Sequence, residues 1–152
     1  MHDHYSDAEI KELRKLTSEI SEKCGFPITL DKLIQSWEVF VSECENGYSD
    51  LIDEYTNDLS SRSLIADIMG RVSSAFAAKI ISRVNESDKK FLEVTKPISE
   101  PLMNVSDKPT EIEKMLYFRI PKKCIGDLKE NLMDMKILEA DKIDDAGTPR
   151  TG

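Results

Sequence analysis

Histidine is all but missing from this chain. His2 and His4 are the only two in 152 residues, and both sit at the start. Serine or cysteine nucleophiles are activated by an imidazole held in a pocket, so most hydrolase arrangements are excluded. The di-iron bundle pattern, which needs a Glu-x-x-His on paired helices, is excluded with them. The six glycines form neither a Gly-x-x-x-x-Gly-Lys nor a Gly-x-Gly-x-x-Gly loop, and there is no Cys-x-x-Cys. No cofactor and no catalytic residues are therefore expected. His2 and His4, flanking Asp3, could take a stray metal ion, but a frayed terminus explains them as well.

Other shortages narrow the class further. The three cysteines, Cys24, Cys44 and Cys124, are odd in number and far apart. This argues against a disulfide framework and for reduced thiols in the cytoplasm. All three fall on or beside apolar stripes, where they read as small core residues. No apolar run approaches the length of a membrane span. The first residues carry neither a basic nor an apolar region, so no secretory signal is expected. Cations are outnumbered, giving a net charge of −8. That charge repels nucleic acid and anionic membranes and favours a cationic partner, unless it serves solubility alone.

Sustained period-two alternation is also missing, and the apolar residues recur at helical spacing instead. Ser6 with Glu9 forms a capping box for a first helix, whose stripe is Ile10, Leu13, Thr17, Ile20 and Cys24. Gly25 suits its left-handed C-cap, and Phe26-Pro27 ends it. A second helix begins near 29–31, carries Leu33, Ile34, Trp37, Phe40, Val41 and Cys44, and stops at Asn46-Gly47. A short third helix is expected over 50–59 with Asp50 as its N-cap, and a separate fourth segment opens at Ser60-Ser61, which Asn57 could cap. A break near 70–74 precedes a long helix with Phe76, Ile80, Val84 and Phe91. Residues 96–109 read as a surface strap, tacked down by Ile98, Leu102, Met103 and Val105.

Thr110 and Glu113 form a second capping box for a short helix. Pro121 suits the first turn of a last helix, with Gly126 inside it at a mild cost. The expected fold class is all-α, a single-domain helical bundle of six to seven helices over residues 1–138. Residues 139–152 form a polar, acidic tail expected to be loose.

One stretch stands apart. Residues 33–61 hold seven acids (Glu38, Glu43, Glu45, Asp50, Asp53, Glu54 and Asp58) and no lysine or arginine, with Trp37, Tyr48 and Tyr55 interleaved. Three uses compete for it: a solvated helix face, a hard-cation site, and a protein-binding patch. Trp37 and Tyr55 fall on apolar stripes and read as core, with the Tyr55 hydroxyl at the rim. Tyr48, in the loop, reads equally as core or as an interface anchor. Asp58 and Arg62, four apart, are expected to pair. The basic-aromatic spot of Tyr117, Phe118, Arg119, Lys122 and Lys123 hints at internal pairing with the acidic arc.

The segment Trp37-Glu38-Val39-Phe40-Val41, then Gly47-Tyr48, then Glu54-Tyr55-Thr56-Asn57-Asp58-Leu59-Ser60-Ser61-Arg62 resembles small helical bacterial immunity proteins. These neutralise toxins in contact-dependent growth inhibition and related polymorphic toxin systems. The resemblance implies no catalytic residues. It implies a toxin partner, and the charge points to a basic one such as a nuclease, bound through Glu43, Glu45, Tyr48, Asp50, Asp53 and Glu54. The alternatives are a helical regulatory or scaffold protein acting as a homodimer, and a metal-dependent hydrolase built on the carboxylates.

Overall fold

A computed structural model describes residues 5–138, and the expected tail at 139–152 and the His2/His4 pair lie outside the described residues. Among the described residues six helices run in the order α1 (Asp7–Cys24), α2 (Leu30–Asn46), α3 (Ile52–Gly70), α4 (Ser74–Val94), α5 (Glu111–Tyr117) and α6 (Gly126–Asp134). The fold is all-α apart from two short strands, β1 (Thr95–Pro97) and β2 (Arg119–Pro121), which pair antiparallel with Lys96 opposite Ile120. None of the described helices is long and apolar enough to cross a membrane.

Both capping boxes form. The Ser6 hydroxyl accepts from Glu9 N while Glu9 accepts from Ser6 N, and Thr110 and Glu113 repeat the exchange. Gly25 takes the left-handed conformation at the end of α1, at φ 81°. The core is a cluster of aromatic rings gathered by α2, α3 and α4. Trp37 lies 5.0 Å from Phe91, Phe40 lies 5.3 Å from Tyr55, and Tyr48 lies 5.1 Å from Tyr55. Edge-to-face and tilted contacts of this kind suit the ring quadrupoles. On the other flank α1 buries Leu16 and Ile20, and Glu9 reaches Lys79 of α4 at 2.8 Å.

Several expectations are corrected. The third and fourth segments are one helix, because Tyr55, Leu59, Arg62, Ile65 and Ile68 continue a single buried stripe through Ser60-Ser61. Serine hydroxyls inside a helix bond back to the preceding turn, as Ser60 does to Asn57 O, so neither Asn57 nor the serines cap anything. Pro121 lies in β2, and the last helix starts five residues later at Gly126. Gly126 is no passive cost. It adopts φ +55°, and a Cβ there would meet Ser49 backbone oxygen at 3.3 Å. Cys24 is exposed and Cys124 half-buried; only Cys44 is a core thiol. Leu102 is buried in the strap while Met103 is exposed.

Arg62 does not pair with Asp58. Arg62 as a residue is 6% exposed, and its guanidinium grips Asp88 of α4 through Nε and Nη2, both at 2.9 Å. Asp88 Oδ1 also accepts from Trp37 Nε1 at 2.9 Å, so one carboxylate joins α2, α3 and α4. Arg119 likewise serves the fold rather than the acids. It donates to Leu92 O and Thr95 O, satisfying carbonyls at the C-terminal end of α4.

Two outcomes follow for stability. Asp88→Ala leaves a buried guanidinium unpaired and should cost about 3–5 kcal/mol; replacing Arg62 and Asp88 together by leucine should cost less, as urea titration will show. Lys136 holds φ 64° just past α6. Lys136→Gly should therefore gain about 1 kcal/mol by relieving a left-handed conformation that side chains disfavour.

Candidate acidic cleft

The helices α2 and α3 form a hairpin joined by residues 47–51. The joint is fixed by the far end of the chain. Tyr48 N donates to Lys123 O and Ile125 N donates to Tyr48 O, both at 3.0 Å, and Asp127 N donates to Ser49 O at 3.1 Å. Asp50 does not cap α3, whose N-cap is Leu51. Asn131 of α6 instead accepts from Ile52 N at 2.8 Å through its side-chain oxygen. Asp50 is thereby left to the surface.

Beside this joint an open cleft of about 470 Å³ runs between the two helices. Glu43 from α2, Asp50 from the joint, and Glu54 and Asp58 from α3 line it, together with Val39 and Phe40. Lys32 is the one cation among the described residues of its lining. The spacing of Glu54 and Asp58, one helical turn, puts both on the same side of α3.

Two of the cleft carboxyls, Glu43 and Asp58, are raised. Burial, then repulsion from Asp58 and Asp50, raises Glu43 above the usual carboxylate range. Burial also raises Asp58, against a lowering by the Tyr48 hydroxyl, which donates to Asp58 Oδ2 at 2.7 Å. Burial pushes the Cys44 thiol up and lifts Cys124 to about 11, so both stay protonated at neutral pH. No group of three or more His, Cys, Asp or Glu side chains among the described residues is arranged to hold a metal ion.

The candidate binding residues therefore separate. Glu43, Asp50 and Glu54 come together on the cleft. Asp58, assigned to an ion pair on spacing alone, joins them, and nothing in its local sequence separates the two uses. Asp53 is exposed but outside the lining. Glu45 faces α4, where Lys90 meets it at 3.2 Å, so it is already partly neutralised. Tyr48 is 2% exposed and belongs to the core, which removes it as a surface anchor. Tyr55 is core as expected, but its hydroxyl is buried against Arg119 O at 3.4 Å rather than at the rim.

Raised carboxyls mean that the folded chain holds these protons more tightly than the unfolded chain does. The stability this gives is present below the unfolded carboxylate pKa and lost as pH rises through the raised folded value. At neutral pH the ionised cleft works against folding. Glu43→Gln should therefore melt at a higher temperature than the parent at pH 7 and low salt. The gap should narrow towards about pH 4 and on adding about 0.5 M salt; an unchanged or lower melting temperature at pH 7 would contradict the cleft's electrostatics.

No family model, curated protein or solved structure matches this chain.

Proposed function

We propose that this chain is a cytoplasmic immunity protein. It binds and neutralises a cognate bacterial toxin, a basic nuclease being the chemistry that its charge fits best, and it acts by stoichiometric binding without turnover. The observation that carries this reading is the cleft itself: Glu43, Asp50, Glu54 and Asp58 face one opening with Lys32 as the single cation among its described lining. A nuclease binds phosphate oxygens with lysines and arginines. Carboxylates offered at similar separations can occupy such a site in place of the substrate, and opposite potentials speed the encounter. The resemblance of residues 37–62 to helical immunity proteins points the same way.

The homodimer reading has less support. The apolar stripes of α2, α3 and α4 close on one shared core, with Trp37, Tyr55, Phe76 and Phe91 all fully buried.

Co-expression with the polypeptide encoded beside this one tests the role directly: the pair should co-purify and toxicity should be relieved. Reversing Asp50 and Glu54 together to lysine should then slow association about tenfold or more at low salt. The loss should shrink near physiological ionic strength, where the screening length is about 8 Å. Reversing Asp53, outside the cleft, should do less. Equal effects from both, or none from either, would remove the cleft from the contact surface.

A further inference from the structure

The acidic cleft does not end where its carboxylates end. Lys32, Ser36 and Asp58 also line a second hollow, of about 310 Å³, farther along the same α2–α3 groove. Its character is different. Phe26, Pro27, Ile28, Leu33 and Leu64 give it an apolar part beside the polar side chains of Thr29, Asn57, Ser60 and Ser61, and the shared Asp58 is the one carboxylate among its described lining. Phe26 is 60% exposed and Val39, in the acidic half, 53%. Both leave apolar area in water that a partner segment would cover. Here they lie along one trough with a carboxylate-rich end and an end where apolar side chains sit among hydroxyls.

We infer that this trough receives a basic amphipathic helix of the partner, with lysine or arginine side chains at the Glu43–Glu54 end and an apolar side chain against Phe26 at the other. Charge complementarity selects the occupant. Four carboxylates facing one lysine disfavour an acidic segment, and they disfavour a second copy of this chain, whose net charge is −8. A groove between two packed helices is a natural seat for a third, whose anchors recur on one face. The spacing follows from α2. Leu33, which lines the hollow with Phe26, and Glu43 of the cleft stand ten positions and about 15 Å apart on α2, so the basic and apolar anchors should stand about ten helical residues apart. An arriving cation offsets the repulsion among these carboxylates, which places the affinity of the acidic end under salt control and leaves the apolar contact at Phe26 much less sensitive to salt.

The inference rests on the cleft being the contact surface proposed above, and it adds a second, apolar anchor and a spacing. The test uses the full chain and a stapled helical peptide bearing two arginines and, about ten positions on, a leucine. Saturable binding followed by fluorescence anisotropy is expected. Phe26→Ser, an exposed substitution checked by circular dichroism, should weaken it about tenfold without changing the salt dependence. Reversal of Asp50 and Glu54 should weaken it and flatten that dependence. A peptide with serine for leucine should show the same loss and no further loss on Phe26→Ser.

Absence of saturable binding would overturn the inference, as would indifference to both the leucine and Phe26. A concentration-dependent dimer abolished by Phe26→Ser would overturn it too, by giving the trough to a second copy. The two proposals fail separately. Peptide binding without relief of toxicity keeps the trough and removes the inhibitor role. Relief of toxicity that survives Phe26→Ser, with no peptide binding, keeps the inhibitor and removes the two-ended trough.

Discussion

The carboxylate of Asp88 is the point on which the bundle is aligned. It accepts three hydrogen bonds, one from Trp37 on α2 and two from Arg62 on α3, while itself belonging to α4. Charged, directional contacts of this kind lose far more when one partner is removed than they add in net stability when complete. Their effect is to select one register among the packings that an apolar stripe alone would tolerate. The aromatic rings around them supply the burial, and the clasp decides how α2 and α3 sit side by side. The width of the acidic cleft depends on that decision, since its two walls are those helices.

The cleft then shows the opposite economy. Carboxylates of like sign face one another, partly dehydrated, with little internal compensation. A chain selected for stability alone would pair them, as it pairs Glu45 with Lys90, Glu9 with Lys79 and Asp31 with Arg83. Glu19 likewise meets Arg71, just beyond the end of α3. Among the described residues the cleft carboxylates make no such pair, although the protein carries 21 lysines and arginines. Like-charge crowding of this kind, kept beside helices that pair acids with cations across their boundaries, is a sign of a surface shaped for another molecule.

Much of the helical frame could be read from local signals. The capping boxes at Ser6 and Thr110, the Gly25 cap, the halt at Asn46-Gly47 and the break after Gly70 are each decided within a few residues. The places where sequence reasoning failed depend on distant partners. Ser60-Ser61 looked like a boundary, yet the buried stripe from Tyr55 to Ile68 overrode it. Asp50 looked like an N-cap until Asn131, from the other end of the chain, took that task. Arg62 had a plausible mate four residues away and a better one twenty-six residues on. The two short strands carry no alternation because three residues are too few to show a period. For the site, the excess of acids was visible in composition, and the sorting of Glu43, Asp50, Glu54 and Asp58 from Glu45 and Asp53 was not, since it depends on which way each helix face turns after packing.

The capping of α3 by Asn131 carries a consequence for the order of events during synthesis. The hairpin that walls the cleft is finished at residue 70, but its joint is held by residues 123–127 and the first amide of α3 by residue 131. A ribosome must release almost the whole described chain before those bonds can form. Until then the nascent hairpin keeps its acidic end unanchored, and the finished shape of the trough is among the last features of the molecule to appear.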